Sequence, residues 1–196
     1  IYAGGKVYGR TTRDLRSYVY EPGGISGFGE EDPPNFSFTN PPCSFYSGTK
    51  ALGEAALTGG NGYVCRLRIP FNSTPDPRNY ISKLLKYERY YDNVNSISHT
   101  DDFVSACLDL MESNASHGIY NVVNTGYITT KKVLNRIDQY VSPGKKWIAW
   151  TDEEFADNTK ALRSNCVLSN TKLRDAGIHM PSVEDALERA LKDYKL

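Results

Sequence analysis

The sequence predicts an α/β protein with parallel strand pairing. Two observations lead there. Short runs rich in β-branched and aromatic residues alternate along the chain with helical stretches, and those stretches carry apolar stripes at three- and four-residue spacing. The alternation shows no internal repeat. The composition, 39% hydrophobic and 23% charged over 196 residues, is that of an ordinary globular chain with room for one large domain.

Each element is justified in turn. Residues 1–8 read as a short strand interrupted by Gly4-Gly5. Residues 9–42 hold Gly23-Gly24-Ile25-Ser26-Gly27-Phe28-Gly29 and Glu30-Glu31-Asp32-Pro33-Pro34, which is loop composition, and a loop of that length inside a compact domain is usually functional. Residues 44–57 predict a helix from Ala51, Leu52, Ala55 and Ala56, closed by Gly59-Gly60. Tyr63 to Ile69 alternates and stops at Pro70, as a strand does. A second helix is expected over 78–90 from Ile81, Leu84 and Leu85. His99-Thr100-Asp101-Asp102 should cap an amphipathic helix bearing Phe103, Ala106, Cys107, Leu110 and Met111. Ile119 to Val123 reads as a strand, Thr129-Thr130 opens a helix through Val133, Leu134 and Ile137, and Ser182 opens a last one through Val183, Ala186, Leu187, Ala190 and Leu191.

Charge and cysteine usage exclude several classes. Lys+Arg and Asp+Glu both number 23, which argues against a nucleic-acid protein. No apolar run reaches the length of a membrane span, and no signal peptide is visible. Cys43, Cys65, Cys107 and Cys166 are spread without metal-ligand spacing, so no metal is expected and reduced thiols are the plain reading. These features place the protein in the cytoplasm. The chain begins at Ile1-Tyr2-Ala3, inside what reads as a strand, so a truncated product is expected.

The chemistry rests on Ser44-Phe45-Tyr46-Ser47-Gly48-Thr49-Lys50, which contains Tyr-x-x-x-Lys. Residues four apart share a helical face, and an ammonium beside a phenol favours the phenolate. Such a tyrosine can give a proton to a carbonyl oxygen or take one from an alcohol. The spacing alone is weak. Tyr2/Lys6 and Tyr127/Lys131 repeat it by chance, one in a strand-and-glycine context and the other across a helix start.

Order adds weight. Val7-Tyr8-Gly9, an acidic loop, the Ser-x-Tyr-x-x-x-Lys helix and Arg66-Leu67-Arg68-Ile69-Pro70 together resemble the extended short-chain dehydrogenase/reductases. A narrower resemblance, to the 4-keto-reductase half of plant-type rhamnose synthases, lies in residues 27–36, in Pro77-Arg78-Asn79-Tyr80-Ile81-Ser82-Lys83, and in Tyr120-Asn121-Val122-Val123-Asn124, Arg163-Ser164-Asn165 and Ser169-Asn170-Thr171-Lys172-Leu173. It implies the C-terminal part of a Rossmann-type doubly wound parallel sheet, residues 1–75, with a small α/β substrate-binding region, 76–196, across a soft and interleaved boundary. It further implies NAD(P)H as cofactor and a nucleotide-linked 4-keto-6-deoxyhexose as substrate. Tyr46 would be the proton donor, and Lys50 would hold the nicotinamide ribose. Lys83 falls where the family has a basic residue proposed for epimerisation, and Pro70 would line the nicotinamide pocket. Arg78, Asn79 and Arg163 are candidates for the sugar-nucleotide end. For Lys83, Arg78 and Arg163 the plain alternative is a solvated surface cation. The resemblance allows a homodimer and gives no nucleic-acid or membrane partner.

Three departures stand against this pattern. Gly4 occupies the place of a Ser or Thr that would hydrogen-bond the reacting oxygen; loss of one such donor commonly costs about a hundredfold in rate. Lys6 replaces a Cys of the epimerising relatives, so loss of epimerisation is the favoured expectation. The glycine-rich dinucleotide fingerprint is missing, so this chain by itself should bind cofactor poorly. The competing readings are a non-catalytic nucleotide-sugar or dinucleotide-binding protein, a nucleotide-sugar epimerase, and a subunit that completes its cofactor site with another chain. A 4,6-dehydratase is disfavoured by Gly5 and Lys6. His99 is expected as a satisfied helix-entry residue. Trp147, Trp150 and Tyr140 are expected as packing aromatics rather than a sugar shelf.

Overall fold

The computed structural model describes residues 25, 27–35, 37–39, 45–158 and 165–196. Gly4, Lys6, Val7-Tyr8-Gly9, Cys43, Ser44 and Arg163 lie outside them.

Helix α1 spans Phe45–Leu57. It ends where expected: Thr58 N–H donates to Glu54 O (3.0 Å), and Gly59 takes φ +84, a conformation glycine adopts without a Cβ penalty. Strand β1, Tyr63–Arg66, follows and pairs in parallel with β6, Gly118–Asn121, in a register from Tyr63↔Gly118 to Arg66↔Asn121. The expected strand ran to Ile69. The ladder stops at Arg66 because the chain turns at Ile69, whose φ is +41.

The other strands are two residues each. β2 (Pro70–Phe71) pairs with β5 (Ser98–His99), and β3 (Arg89–Tyr90) with β8 (Ile148–Ala149), both in parallel. β4 (Val94–Asn95) pairs antiparallel with β7 (Ile128–Thr129), which departs from the expectation of parallel pairing throughout. Its cause is local. β7 runs directly into helix α4, Thr130–Tyr140, and the start of that helix hangs on the β4 segment: Thr130 N–H donates to Asn93 O (3.0 Å) and Lys131 N–H to Asp92 Oδ1 (2.8 Å).

Helix α2 covers Tyr80–Lys86, shorter than the expected 78–90. Asn79 caps it, accepting from Ile81 N–H (3.0 Å). It stops before Tyr87, whose extended backbone leads into β3, so pairing with β8 overrides helical propensity there. Helix α3, Thr100–Glu112, starts at His99 with Asp101 and Asp102 in its first turn, where they complement the helix dipole. It buries Phe103, Ala106, Cys107 and Leu110, while Met111, expected on that stripe, is exposed. Helices α5 (Asp152–Asn158) and α6 (Thr171–Asp175) were not expected from the sequence. α7, Val183–Lys192, is capped by Ser182 Oγ, which accepts from Asp185 N–H (3.1 Å), and buries the five apolar residues named for it.

Two larger apolar cores result, with two small clusters around Val123 and Ile25 beside them. α2, α4 and α7 close over Phe71 and Ile97 through Ile81, Val133, Ile137, Leu187 and Leu191. α3 and α6 close over β1 and β6 through Phe103, Leu110, Leu173, Cys65 and Val122. Cys65, Cys107 and Cys166 are buried thiols; contact with Cys65 and burial push the Cys107 thiol up. Among the described residues no helix is long and apolar enough to cross a membrane, and no cluster of side chains could hold a metal ion.

Candidate active site

α1 delivers the tyrosine and the lysine. Tyr46 and Lys50 sit one helical turn apart, and the Lys50 ammonium lies 5.4 Å from the Tyr46 ring centroid. Tyr46 is about half exposed and so open to a ligand. Gly48 lies between them under the half-exposed Phe38 ring, whose carbons stand 2.4 Å from where a Cβ would be.

What aims α1 is an ion pair. Glu54 and Arg66 join the helix to β1 through bonds of Arg66 Nε and Nη2 to both carboxylate oxygens, the shortest 2.8 Å, with side chains 4% and 1% exposed. Arg66 Nη1 also donates to Asn121 Oδ1 (3.4 Å), which draws β6 into the same network. The acidic loop adds a further clamp. Glu30 Oε1 accepts from Asn121 N–H (2.7 Å), Asn121 Nδ2 donates to Phe28 O (3.0 Å), and Phe28 pairs with Leu168. Burial pushes the Glu30 carboxyl above its ordinary range. A second cavity of about 470 Å³ lies on this side, against Glu30, Glu54, Arg66 and Lys172.

Tyr46 opens onto a cavity of about 580 Å³, a size ordinary for small-molecule sites. Its walls mix aromatic rings, including Tyr80, Tyr90 and Trp150, with Arg68, Asn95 and Thr130. Arg89 stacks on the Trp150 ring at 3.7 Å and pairs with both oxygens of Glu154 (2.8 and 2.9 Å). The Thr151 N–H, and then Arg89, hold the Glu154 carboxyl below its ordinary range. Tyr91 and Phe155 stack at 4.3 Å, and Tyr91 Oη donates to Asp152 (2.7 Å), so α5 forms an outer wall.

The other sequence-predicted residues divide. Lys83 is exposed on α2, three and four residues from Tyr80 and Tyr87, which line the cavity, and so lies near that face. Pro70 is exposed and follows the cavity-lining Ile69. Arg78 is exposed in the turn before α2, and its N–H donates to Asp76 Oδ1 (2.7 Å). Asn79 is buried; its Nδ2 donates to Asn72 O, Asn72 Oδ1 and Thr74 O, and its Oδ1 caps α2, which is a structural use of the whole amide. Neither Arg78 nor Asn79 is on the cavity wall. Trp147 packs as expected, donating from Nε1 to Leu84 O (2.9 Å), whereas Trp150 faces the cavity. Glu54, Arg68 and Asn95 escaped sequence reasoning. The available signal was two arginines at alternate positions of an apolar strand, Arg66 and Arg68, a pattern that burial permits only with partners.

No family model matches the chain. Curated relatives do. Over 163 residues it is 36% identical to a bifunctional dTDP-4-dehydrorhamnose 3,5-epimerase/dTDP-4-dehydrorhamnose reductase of Arabidopsis thaliana, covering 82% of this chain and 52% of that protein. It is equally identical over the same length to a trifunctional UDP-glucose 4,6-dehydratase/UDP-4-keto-6-deoxy-D-glucose 3,5-epimerase/UDP-4-keto-L-rhamnose-reductase from the same plant, there covering 24%. The chain thus spans about half the length of the first of these and about a quarter of the second. Among solved structures, the L780 UDP-rhamnose synthase of Acanthamoeba polyphaga mimivirus superposes with a TM-score of 0.83 at 23% identity, over 98% of this chain and 63% of that one. A dTDP-4-dehydrorhamnose reductase from Bacillus anthracis, in complex with NADP, superposes at 0.66 and 21% identity, over 91% of this chain and 63% of that one. The fold is therefore the Rossmann-type one of these nucleotide-sugar enzymes.

Proposed function

We infer that this chain, a homologue of the reductases of 4-keto-rhamnose nucleotides within the short-chain dehydrogenase/reductases, supplies the proton-donating and substrate side of an NAD(P)H-dependent reduction. The substrate is a nucleotide-linked 4-keto-6-deoxyhexose. The observation that carries this reading is the Tyr46/Lys50 pair, held on one face of α1 by the Glu54–Arg66 ion pair and opening onto the aromatic cavity.

The reduced nicotinamide, when bound, supplies the hydride to the sugar's C4. Tyr46 Oη would give the proton to the 4-oxygen, so the carbonyl gains that proton at oxygen and the hydride at carbon and leaves as an alcohol. Lys50 orients the nicotinamide ribose and steadies the charge left on Tyr46. The residues present suit that nicotinamide end. Gly27 does not serve the diphosphate end, because it is packed against the backbone of Leu168 and Ser169, where a Cβ would come within 2.6 Å. In this reading residues 1–75 belong with the dinucleotide side and 76–196 with the substrate side. The two interleave, since β6 returns to pair with β1. The unbridged thiols of Cys65 and Cys107 support a cytoplasmic enzyme, and the balanced charge supports one without a nucleic-acid partner.

Tyr46→Phe is expected to lower kcat for reduction of a 4-keto-6-deoxy nucleotide sugar by about 10²–10⁴-fold with little change in KM, followed as NADPH consumption. Wild-type turnover in that variant would sink the reading. A second reading, a binding protein without turnover, is favoured by Gly4 in place of the family's hydroxyl residue. In that case nucleotide sugar binds the wild-type chain while no NADPH is consumed.

A further inference from the structure

We propose that Arg68 anchors the diphosphate of the sugar nucleotide, an inference that rests on the cavity being a nucleotide-sugar pocket. Arg68 is 9% exposed and lines the cavity that Tyr46 opens onto. Its Nη2 donates to Asn95 Oδ1 (2.6 Å), and its Nε is buried with no acceptor among the described residues. The two other arginines of this region are neutralised, Arg66 by Glu54 and Arg89 by Glu154. Arg68 has no carboxylate within ion-pair distance among the described residues. Asn95 does not supply the missing charge: its Oδ1 also accepts from Cys166 N–H (3.3 Å), so it positions the guanidinium and leaves it cationic.

Burying an unpaired guanidinium is strongly unfavourable, and such a group persists where an anion completes it. Arginine suits phosphate oxygens because its planar fork offers paired donors. In a nucleotide-linked 4-keto-6-deoxyhexose the sugar and base are neutral, so the diphosphate is the anion that can complete Arg68. The backbone points the same way. Ile69, next in the chain and on the same cavity wall, sits at φ +41, which a β-branched residue avoids. Strain of this kind is kept where a neighbouring side chain must be aimed at a ligand. Arg78, the described arginine that the sequence favoured for this role, is exposed and off the wall.

The test titrates the full chain with UDP and, separately, with NADPH by calorimetry, in wild type and in Arg68→Met. UDP affinity is expected to fall about 10- to 150-fold in the variant, the worth of hydrogen bonds to a charged group. NADPH affinity should be unchanged. Tm should hold or rise, because a buried unpaired charge has been replaced by an apolar side chain. Should Arg68→Met fail to fold, Arg68→Lys, which keeps the charge and loses the fork, must still weaken UDP severalfold. Equal UDP affinity in wild type and variant overturns the assignment, as does a wild-type chain that binds no UDP. Loss of NADPH in place of UDP also overturns it and would give Arg68 to the dinucleotide. Failure of the reductase reading looks different: UDP binding then still depends on Arg68, and no 4-keto sugar is reduced.

Discussion

Tyr46 and Lys50 sit on a helix that two further residues fix in place. Glu54 and Arg66 form a buried, multiply bonded ion pair between α1 and β1, and removing one partner leaves the other charged in an apolar setting. Glu54→Ala is expected to destabilise the fold by about 3–5 kcal/mol, read as the change in a urea midpoint at constant slope. The double variant Glu54→Leu/Arg66→Met should recover most of that loss, since it buries no charge. Recovery of stability without recovery of kcat would show that the pair's value lies in aiming the helix. At this scale the sequence was partly legible. The Tyr-x-x-x-Lys spacing announced itself because helical geometry makes residues four apart neighbours. Glu54 looked like any surface glutamate on an alanine-rich helix, because its partner is twelve residues away and on another element.

The glycine-rich loop shows what an element contributes. Its length suggested a functional loop, and within it Gly27 serves protein packing: Phe28 N–H donates to Val167 O (2.8 Å), Ser169 N–H donates to Phe28 O (2.9 Å), and no side chain fits between. Gly27→Ala should cost about 1–3 kcal/mol through overpacking against backbone that cannot yield, measurable by chemical denaturation. An unchanged midpoint would mean that the loop shifts freely. Helices were the legible elements. Apolar stripes at Val133-Leu134-Ile137 and from Val183 to Leu191, with Thr129 and Ser182 as caps, marked α4 and α7. The two-residue strands were not legible, since Arg89–Tyr90 or Ser98–His99 carry no periodicity and exist only by virtue of distant partners.

For the whole molecule, the junction between the two cores is a charged one. Arg189 on α7 bonds Asp102 on α3 (2.5 Å), Asp102 Oδ2 accepts from Asn124 (3.0 Å), and the His99 ring is buried against Phe71 with its Nδ1 unbonded, 3.8 Å from Asp102. Burial, more than any neighbour, holds His99 below its ordinary value of 6.5. The unfolded chain therefore binds a proton that the folded chain resists, and stability present above about pH 6.5 is lost as pH falls through the folded value. Urea midpoints at about pH 7.5 and about pH 5.5 should show this decline, and His99→Asn should flatten it. An undiminished slope in that variant would assign the effect elsewhere. The α/β class was legible in the alternation of elements, while the division of the described strands into four two-strand pairings, one of them antiparallel, was not. Those pairings also set the timing of folding. Tyr63 waits for Gly118, and Arg89 for Ile148, so neither of these ladders can close while the first half of the chain is alone. As the polypeptide leaves the ribosome, α1 with its tyrosine and lysine emerges before β6, the strand that pairs with β1. The helix that carries Tyr46 and Lys50 is thus made before the strand pairing that seats it.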